Sequence, residues 1–161
     1  MADMLVKLYA LPGLERAMEA ASAQGVTVRR AIPPEKPRVL AWMQANFPAW
    51  AAEAEAAFGR VPVSCFLAVR GPSLLGFACY DATCRNFFGP TAVLEAERRR
   101  GLGRALLLAA LHAQREQGYA YSIIGGVGPA DYYAKAVGAV PIDGSTPGIY
   151  SGMLSERGPG R

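Results

Sequence analysis

A chain of 161 residues, 52% hydrophobic and 19% charged, has the length of one domain and the apolar mass for a buried core, which excludes a disordered or fibrous chain. Its formal charge of +4 and pI near 9.1 raise the question of a nucleic-acid partner, but Arg98, Arg99, Arg100 and Arg104 put four positive charges in seven residues, and without them the chain is neutral. The basic excess is local, as one phosphate-rich small ligand requires, and the basic stripe with interleaved aromatics that single-stranded nucleic acid asks for is not visible.

Asp3 and Glu15 stand in an N-terminal segment that has no basic start leading into a long apolar core, and no run is long enough to span a bilayer. The expected compartment is the cytoplasm, with no membrane partner. Cys65, Cys79 and Cys84 are odd in number and lack metal-ligand spacing, so reduced thiols and no metal are expected. The single histidine, His112, falls inside a predicted helix and is a poor partner for a nucleophilic thiol.

In chain order, residues 4–11 alternate as a strand that Pro12-Gly13 ends, and residues 14–24 carry Leu14, Ala17, Met18 and Ala21 at helical spacing up to Gly25. Residues 26–32 form a strand stopped by Pro33-Pro34. Residues 36–46 make an amphipathic helix, and a second helix begins near Pro48, a residue suited to a first turn, and runs to Gly59. Trp42, Phe47, Trp50 and Phe58 either line a substrate pocket or pack helix on sheet, and Glu53 and Glu55 either form a solvated face or attract a cationic acceptor.

Residues 61–69 and 74–80 read as a hairpin around Arg70-Gly71-Pro72-Ser73. Residues 86–94 form the next strand, which Gly89-Pro90 must interrupt, either as a β-bulge or because the strand starts after Pro90. A helix runs from 102 to Gly118 with Leu102, Ala105, Leu106, Ala109 and Ala113 on one face. Residues 119–124 are a buried strand, a glycine-rich loop at 125–129 leads into a short helix closed by Gly138, and residues 140–142 and 148–154 are expected to form a last hairpin. Residues 155–161 are expected to be a disordered tail.

The stretch around which this order turns is 92–107, where an apolar strand, three arginines, Gly101-Leu102-Gly103 and a helix start follow one another. Unpaired N–H groups of a first helical turn and the helix macrodipole attract an anion, the arginines add full charges, and the glycines let a phosphate approach the backbone. A dinucleotide fingerprint is excluded: Leu106 stands where its third glycine belongs, and Ile123-Ile124-Gly125 lacks the acidic residue it needs. No G-x-x-x-x-G-K-[ST] loop occurs either.

What remains, R-x-x-G-x-G at Arg98, Gly101 and Gly103 together with YSIIGGVGPADYYAKAVGA downstream, resembles the GNAT superfamily of acetyl-CoA-dependent N-acetyltransferases. The resemblance implies an α/β fold with a GNAT-like mixed twisted β-sheet flanked by helices, one domain over residues 1–154, with residues 1–25 a strand-helix extension of the core. It implies that the strand from Ala92 to Leu94 pairs with the pantetheine arm of the cosubstrate acetyl-CoA, with Val93, Leu94 and Glu95 among the cofactor-binding residues. Arg98, Arg99, Arg100, Gly101, Leu102, Gly103, Arg104 and Ala105 are then the turn and helix start that wrap the pyrophosphate. The Val93 N–H is implied as polariser of the thioester carbonyl, an oxyanion-type role, and a tyrosine as the acid that protonates the departing thiolate.

Tyr132 and Tyr133 are the candidates for that acid, with Tyr133 the assignment. The family tyrosine commonly stands four residues before a glycine, whereas Tyr133 precedes Gly138 by five, and Gly126 stands where an asparagine is common. These departures support the alternative of a non-catalytic acyl-CoA-binding or regulatory module on the same fold. For the base, Asp81, Glu95 and a backbone-held water remain open. The acceptor is a small-molecule or peptide amine, and residues 42–58 and 144–150 are the segments expected to form its pocket. The N-terminal extension either completes the core or serves an interface, in which case a homodimer is expected.

Overall fold

The apolar run from Cys65 to Tyr80 forms the centre of the molecule. β3 (Cys65–Arg70) and β4 (Ser73–Tyr80) pair antiparallel across the predicted turn. Their side chains alternate between two buried clusters, with Leu67, Phe77 and Cys79 in one and Ala68, Leu75, Ala78 and Tyr80 in the other. A strand covered on both faces needs a near-continuous apolar sequence, which residues 74–80 supply. The structure, a computed structural model, describes residues 1–154, so the tail expected at 155–161 lies outside the described residues.

β1 (Met4–Lys7), β2 (Thr27–Arg30), β5 (Phe87–Val93), β6 (Tyr121–Ile124) and β7 (Val140–Pro141) complete a seven-stranded sheet of order β2-β3-β4-β5-β6-β1-β7. Every pairing is antiparallel except β5 with β6, which makes the sheet mixed, as expected. α1 (Glu15–Ser22), α4 (Leu102–Glu116) and α5 (Ala130–Val137) bury residues in one cluster, and α2 (Lys36–Asn46) and α3 (Ala51–Phe58) in the other. α4 is the spine of the first cluster: Leu102, Leu106, Leu107, Leu108 and Leu111 are all buried, each stabilising the fold by roughly 1.5–3 kcal/mol.

Three sequence expectations change. The first strand ends at Lys7, and Leu8–Ala10 tightens into a 3-10 turn that buries Leu8. Residues 4–7, expected either to complete the core or to serve an interface, occupy an inner position between β6 and β7. The C-terminal hairpin does not form: β7, at the edge of the sheet, pairs with β1 alone. The Ile142 N–H donates to the Asp3 carbonyl at 2.8 Å and the Asp3 N–H to Ser145 Oγ at 2.8 Å, while Gly148–Tyr150 closes a separate 3-10 turn.

Candidate active site

β5 and β6 pair only at Phe87 with Ile123 and Phe88 with Ile124. On its other edge β5 changes register against β4: Ala78 faces Thr91, but Tyr80 faces Phe88. One extra residue is thus accommodated at Gly89-Pro90, so the interruption is a β-bulge rather than a late strand start. Gly89 has φ +112, a conformation that glycine alone adopts readily. Past the bulge β5 leaves β6, and a cleft opens between them.

The phase of the β4–β5 ladder decides which groups face this cleft. The Leu94 N–H donates to the Leu75 carbonyl at 2.9 Å. Because antiparallel bonding alternates along a strand, the N–H and C=O of Val93 project from the opposite edge, into the cleft. There the Val93 carbonyl accepts from Arg98 Nε at 3.1 Å, which leaves its N–H directed at the cleft.

α4 starts beside this edge. Its N-cap, Gly101, is left-handed with φ +81, and no side chain caps the helix among the described residues. The N–H groups of Leu102, Gly103 and Arg104 are therefore free to meet an anion. That of Ala105 is spent on the Gly101 carbonyl at 3.1 Å, which removes Ala105 from the expected donors; its side chain and that of Leu102 are in the core. Arg99 is also left-handed, with φ +62. Arg98, Arg99 and Arg104 line a cavity of about 640 Å³ together with Val93, Gly101 and Gly103.

Leu94, Glu95 and Arg100 do not line it. Leu94 is tied to β4, Glu95 is exposed, and Arg100 turns to Glu97 at 3.4 Å while its carbonyl accepts from Gln24 Nε2 at 2.7 Å.

A second cavity, of about 440 Å³, shares Trp50, Thr91, Pro129 and Tyr133 with the first. Tyr133 is 8% exposed, sits edge-on to Phe88 with ring centroids 6.4 Å apart, and is pushed up to about 12, chiefly by burial and further by Tyr132. It is therefore a protonated phenol at neutral pH. Tyr132 is 40% exposed and touches only the first cavity. Burial raises its pKa too, against the opposing charge of Arg104.

The carboxylates expected as bases lie elsewhere. Asp81 is buried but lines neither cavity: its Oδ1 accepts from the Asn86 N–H at 2.7 Å and from Gln114 Nε2 at 3.4 Å, which makes it a fastener of the β4–β5 turn. Glu95 faces solvent. The carboxylate that does line the second cavity is Glu53. Of the four aromatics around it in sequence, Phe47 and Trp50 reach the cavities, while Trp42 and Phe58 pack in the α2–α3 cluster. Sequence reasoning missed Thr91, which lines both cavities with its hydroxyl bonded to the Phe77 carbonyl at 2.9 Å; a threonine in a strand carries no signal of that position.

A mixed sheet splayed beside an uncapped, arginine-flanked helix start frames the candidate site, and the sequence matches the Acetyltransferase (GNAT) family over residues 27–137. The chain belongs to that family, whose members generally use acetyl-CoA. No curated protein matches the sequence. Similar folds include a GCN5-related glucosamine N-acetyltransferase region of a fungal multi-domain GH3 β-N-acetylglucosaminidase, with 14% identity, a TM-score of 0.72, and coverage of 88% of this chain and 19% of that one. A GCN5-related N-acetyltransferase from Sphaerobacter thermophilus matches with 18% identity and a TM-score of 0.67, over 88% of this chain and 48% of that one. Another from Kribbella flavida matches with 16% identity and a TM-score of 0.54, over 87% and 53%. The chain thus spans about a fifth to a half of the length of these structures, and the likeness is one of fold. No helix among the described residues is long and apolar enough to cross a membrane.

Proposed function

We propose that the protein transfers the acetyl group of acetyl-CoA directly to an amine. The observation that carries this reading is the junction of the cavities. One wall holds the cleft-facing Val93 N–H and the uncapped start of α4, the other cavity opens to an acceptor, and Tyr133 belongs to both. The N–H groups of Leu102, Gly103 and Arg104, with the Arg99 and Arg104 side chains, suit a pyrophosphate, and the free edge of β5 past Gly89 suits the amides of a pantetheine arm.

The Val93 N–H then polarises the thioester carbonyl as negative charge develops on its oxygen. The acceptor attacks with a free lone pair, so an ammonium substrate first sheds a proton. Its nitrogen forms a bond to the acetyl carbon, the carbon–sulfur bond breaks, and the sulfur takes a proton from Tyr133, which is replenished from solvent as the new amide nitrogen loses one. The products are an amide and a free thiol, and most of the rate comes from holding amine and thioester together.

Thiol release from acetyl-CoA across a panel of amines tests the reading. Release that depends on an amine supports it. Calorimetric binding of coenzyme A with no release for any amine would overturn it in favour of a non-catalytic acyl-CoA-binding module.

A further inference from the structure

The second cavity carries an unusual chemical balance. Aromatic rings of Trp50, Phe87, Phe88, Tyr133 and Tyr150 surround it, and among the described residues its lining includes no Lys, Arg or His side chain and one carboxylate, Glu53. The acidic residues nearest in role are committed elsewhere: Glu55 pairs with Lys36 at 3.3 Å, Glu35 with Arg29, and Glu97 with Arg70 at 2.8 Å. Glu53 has no ion pair among the described residues. The Thr83 hydroxyl donates to its Oε1, which fixes the carboxylate and leaves Oε2 for a ligand.

We infer that the acceptor is a primary amine on an aromatic or apolar body, without a carboxylate or phosphate of its own, and that Glu53 is the counter-ion that receives its ammonium group. This rests on the acetyltransfer reading. A half-buried carboxylate is costly to leave unpaired, so a ligand cation that pairs with it is selected over a neutral group. Rings around the cavity supply apolar area that buries the ligand body. An amino acid or a phosphorylated amine brings a second charge of the same sign as Glu53 into a wall that offers no cationic side chain, and a sugar amine brings hydroxyls into a wall of rings. The reach of the Glu53 charge across the cavity is visible at Tyr150, whose phenol is raised above its usual range by burial first and by Glu53 next.

The test compares 2-phenylethylamine, phenylalanine and glucosamine as acceptors in thiol release, with coenzyme A binding measured separately by calorimetry. The first two probes share a ring and a primary amine and differ by one carboxylate. The expected result is kcat/KM for 2-phenylethylamine about 100-fold or more above both others. Glu53→Gln should raise the KM for that amine about tenfold with coenzyme A affinity unchanged, and Glu53→Asp should recover part of the loss. Thr83→Val, which keeps the charge but removes its tether, should raise KM less. Equal or better turnover of phenylalanine or glucosamine, or an unchanged amine KM in Glu53→Gln, overturns the inference and leaves acetyltransfer standing. Coenzyme A binding without release for any of the three or for a wider amine panel overturns both.

Discussion

The Nε of Arg98, in the turn between β5 and α4, donates to the main-chain carbonyl of Val93, the last residue of β5, at 3.1 Å. This bond fastens the arginine turn to the strand edge that faces the cleft, so on the proposed reading one side chain links the pyrophosphate site to the site of the thioester carbonyl. Arg98→Met keeps the aliphatic stem and loses the donor. Its kcat/KM for acetyl-CoA should fall about tenfold, while unfolding free energy changes by only about 1 kcal/mol, since water can replace the donor in an open cleft. Arg98→Lys, which keeps the charge without the planar fork, should fall in between. Steady-state kinetics with a denaturant titration check both numbers, and an unchanged kcat/KM in Arg98→Met would remove the fastening role.

Tyr133 lines both cavities and Tyr132 only one. Tyr133→Phe removes the proposed proton donor and preserves the ring that meets Phe88, so kcat should fall about 100-fold with each KM within about threefold of the parent value. Tyr132→Phe should leave kcat within about threefold. A loss of kcat in Tyr132→Phe alone would transfer the acid role to that residue.

Burial of the same phenol has a consequence at high pH. Tyr133 is neutral in both the folded and unfolded chain below pH 10; between the ordinary value of 10.0 and its folded value of about 12, the unfolded chain ionises it and the fold does not. Its raised folded pKa therefore gives a stability contribution that is intact below pH 10 and lost as pH rises, with a slope of roughly 1.4 kcal/mol per unit. Unfolding free energies of the parent and Tyr133→Phe, measured from pH 9 upward, should converge by that share, and phenolate absorbance should show one late-ionising tyrosine missing from the variant.

Arg70 lies outside both cavities, yet it forks onto Glu97 with its two terminal nitrogens at 2.8 and 3.2 Å, and Glu97 lines the cavity beside the arginine turn. The bond to Arg70, with help from Arg100, holds the Glu97 carboxyl below its usual range, so the group stays charged. Arg70→Ala would leave that negative charge only the longer pair with Arg100, at 3.4 Å, next to the proposed pyrophosphate site. The KM for acetyl-CoA should rise about threefold at low salt, and the effect should shrink in about 0.5 M salt. Because the Glu97 pKa is lowered in the fold, the stability this pair adds is present above the ordinary carboxylate range and disappears as pH falls through the lowered value. The stability gap between parent and Arg70→Ala should therefore close in acid.

The parts of this site that are legible in the sequence are those in which chemistry is carried by consecutive residues. A strand-to-helix turn is contiguous, so Arg98, Gly101 and Gly103 announce the uncapped start of α4, and a proline that cannot donate to a ladder marks the bulge at Pro90. Asp81 shows the opposite case: a carboxylate at a strand end reads as a candidate base, but its left-handed φ of +50 turns it beneath the chain, where Asn86 and Gln114 claim it. The inner place of β1 is equally hidden, because four apolar-alternating residues fit any edge of a sheet and only the pairing with Ile124 and Val140 on either side decides. Glu53 is ambiguous in sequence because its role depends on Thr83, thirty positions away and in no repeating pattern with it.

The same sheet geometry makes a small residue necessary at Gly76 of β4, opposite Val93. A Cβ there would sit 2.8 Å from the Ala92 carbonyl oxygen, 3.0 Å from Val93 Cγ2 and 3.2 Å from Leu106 Cδ1. The first of these is backbone in the strand that carries the cleft-facing N–H, so Gly76→Ala cannot be relieved by a rotamer and must displace β5 or α4. The expected cost is about 1–3 kcal/mol in unfolding free energy. Unlike an ordinary packing defect, it should be accompanied by a loss of coenzyme A affinity of about fivefold or more, because Val93 and the start of α4 move with the displaced elements. Gly71→Ala is the control. Gly71 lies in the β3–β4 turn with φ +55 and open space around it, so alanine there costs about 1 kcal/mol of backbone strain and leaves coenzyme A affinity unchanged. Equal affinities for the two variants would show that the position of β5 does not govern how the acyl carrier is held.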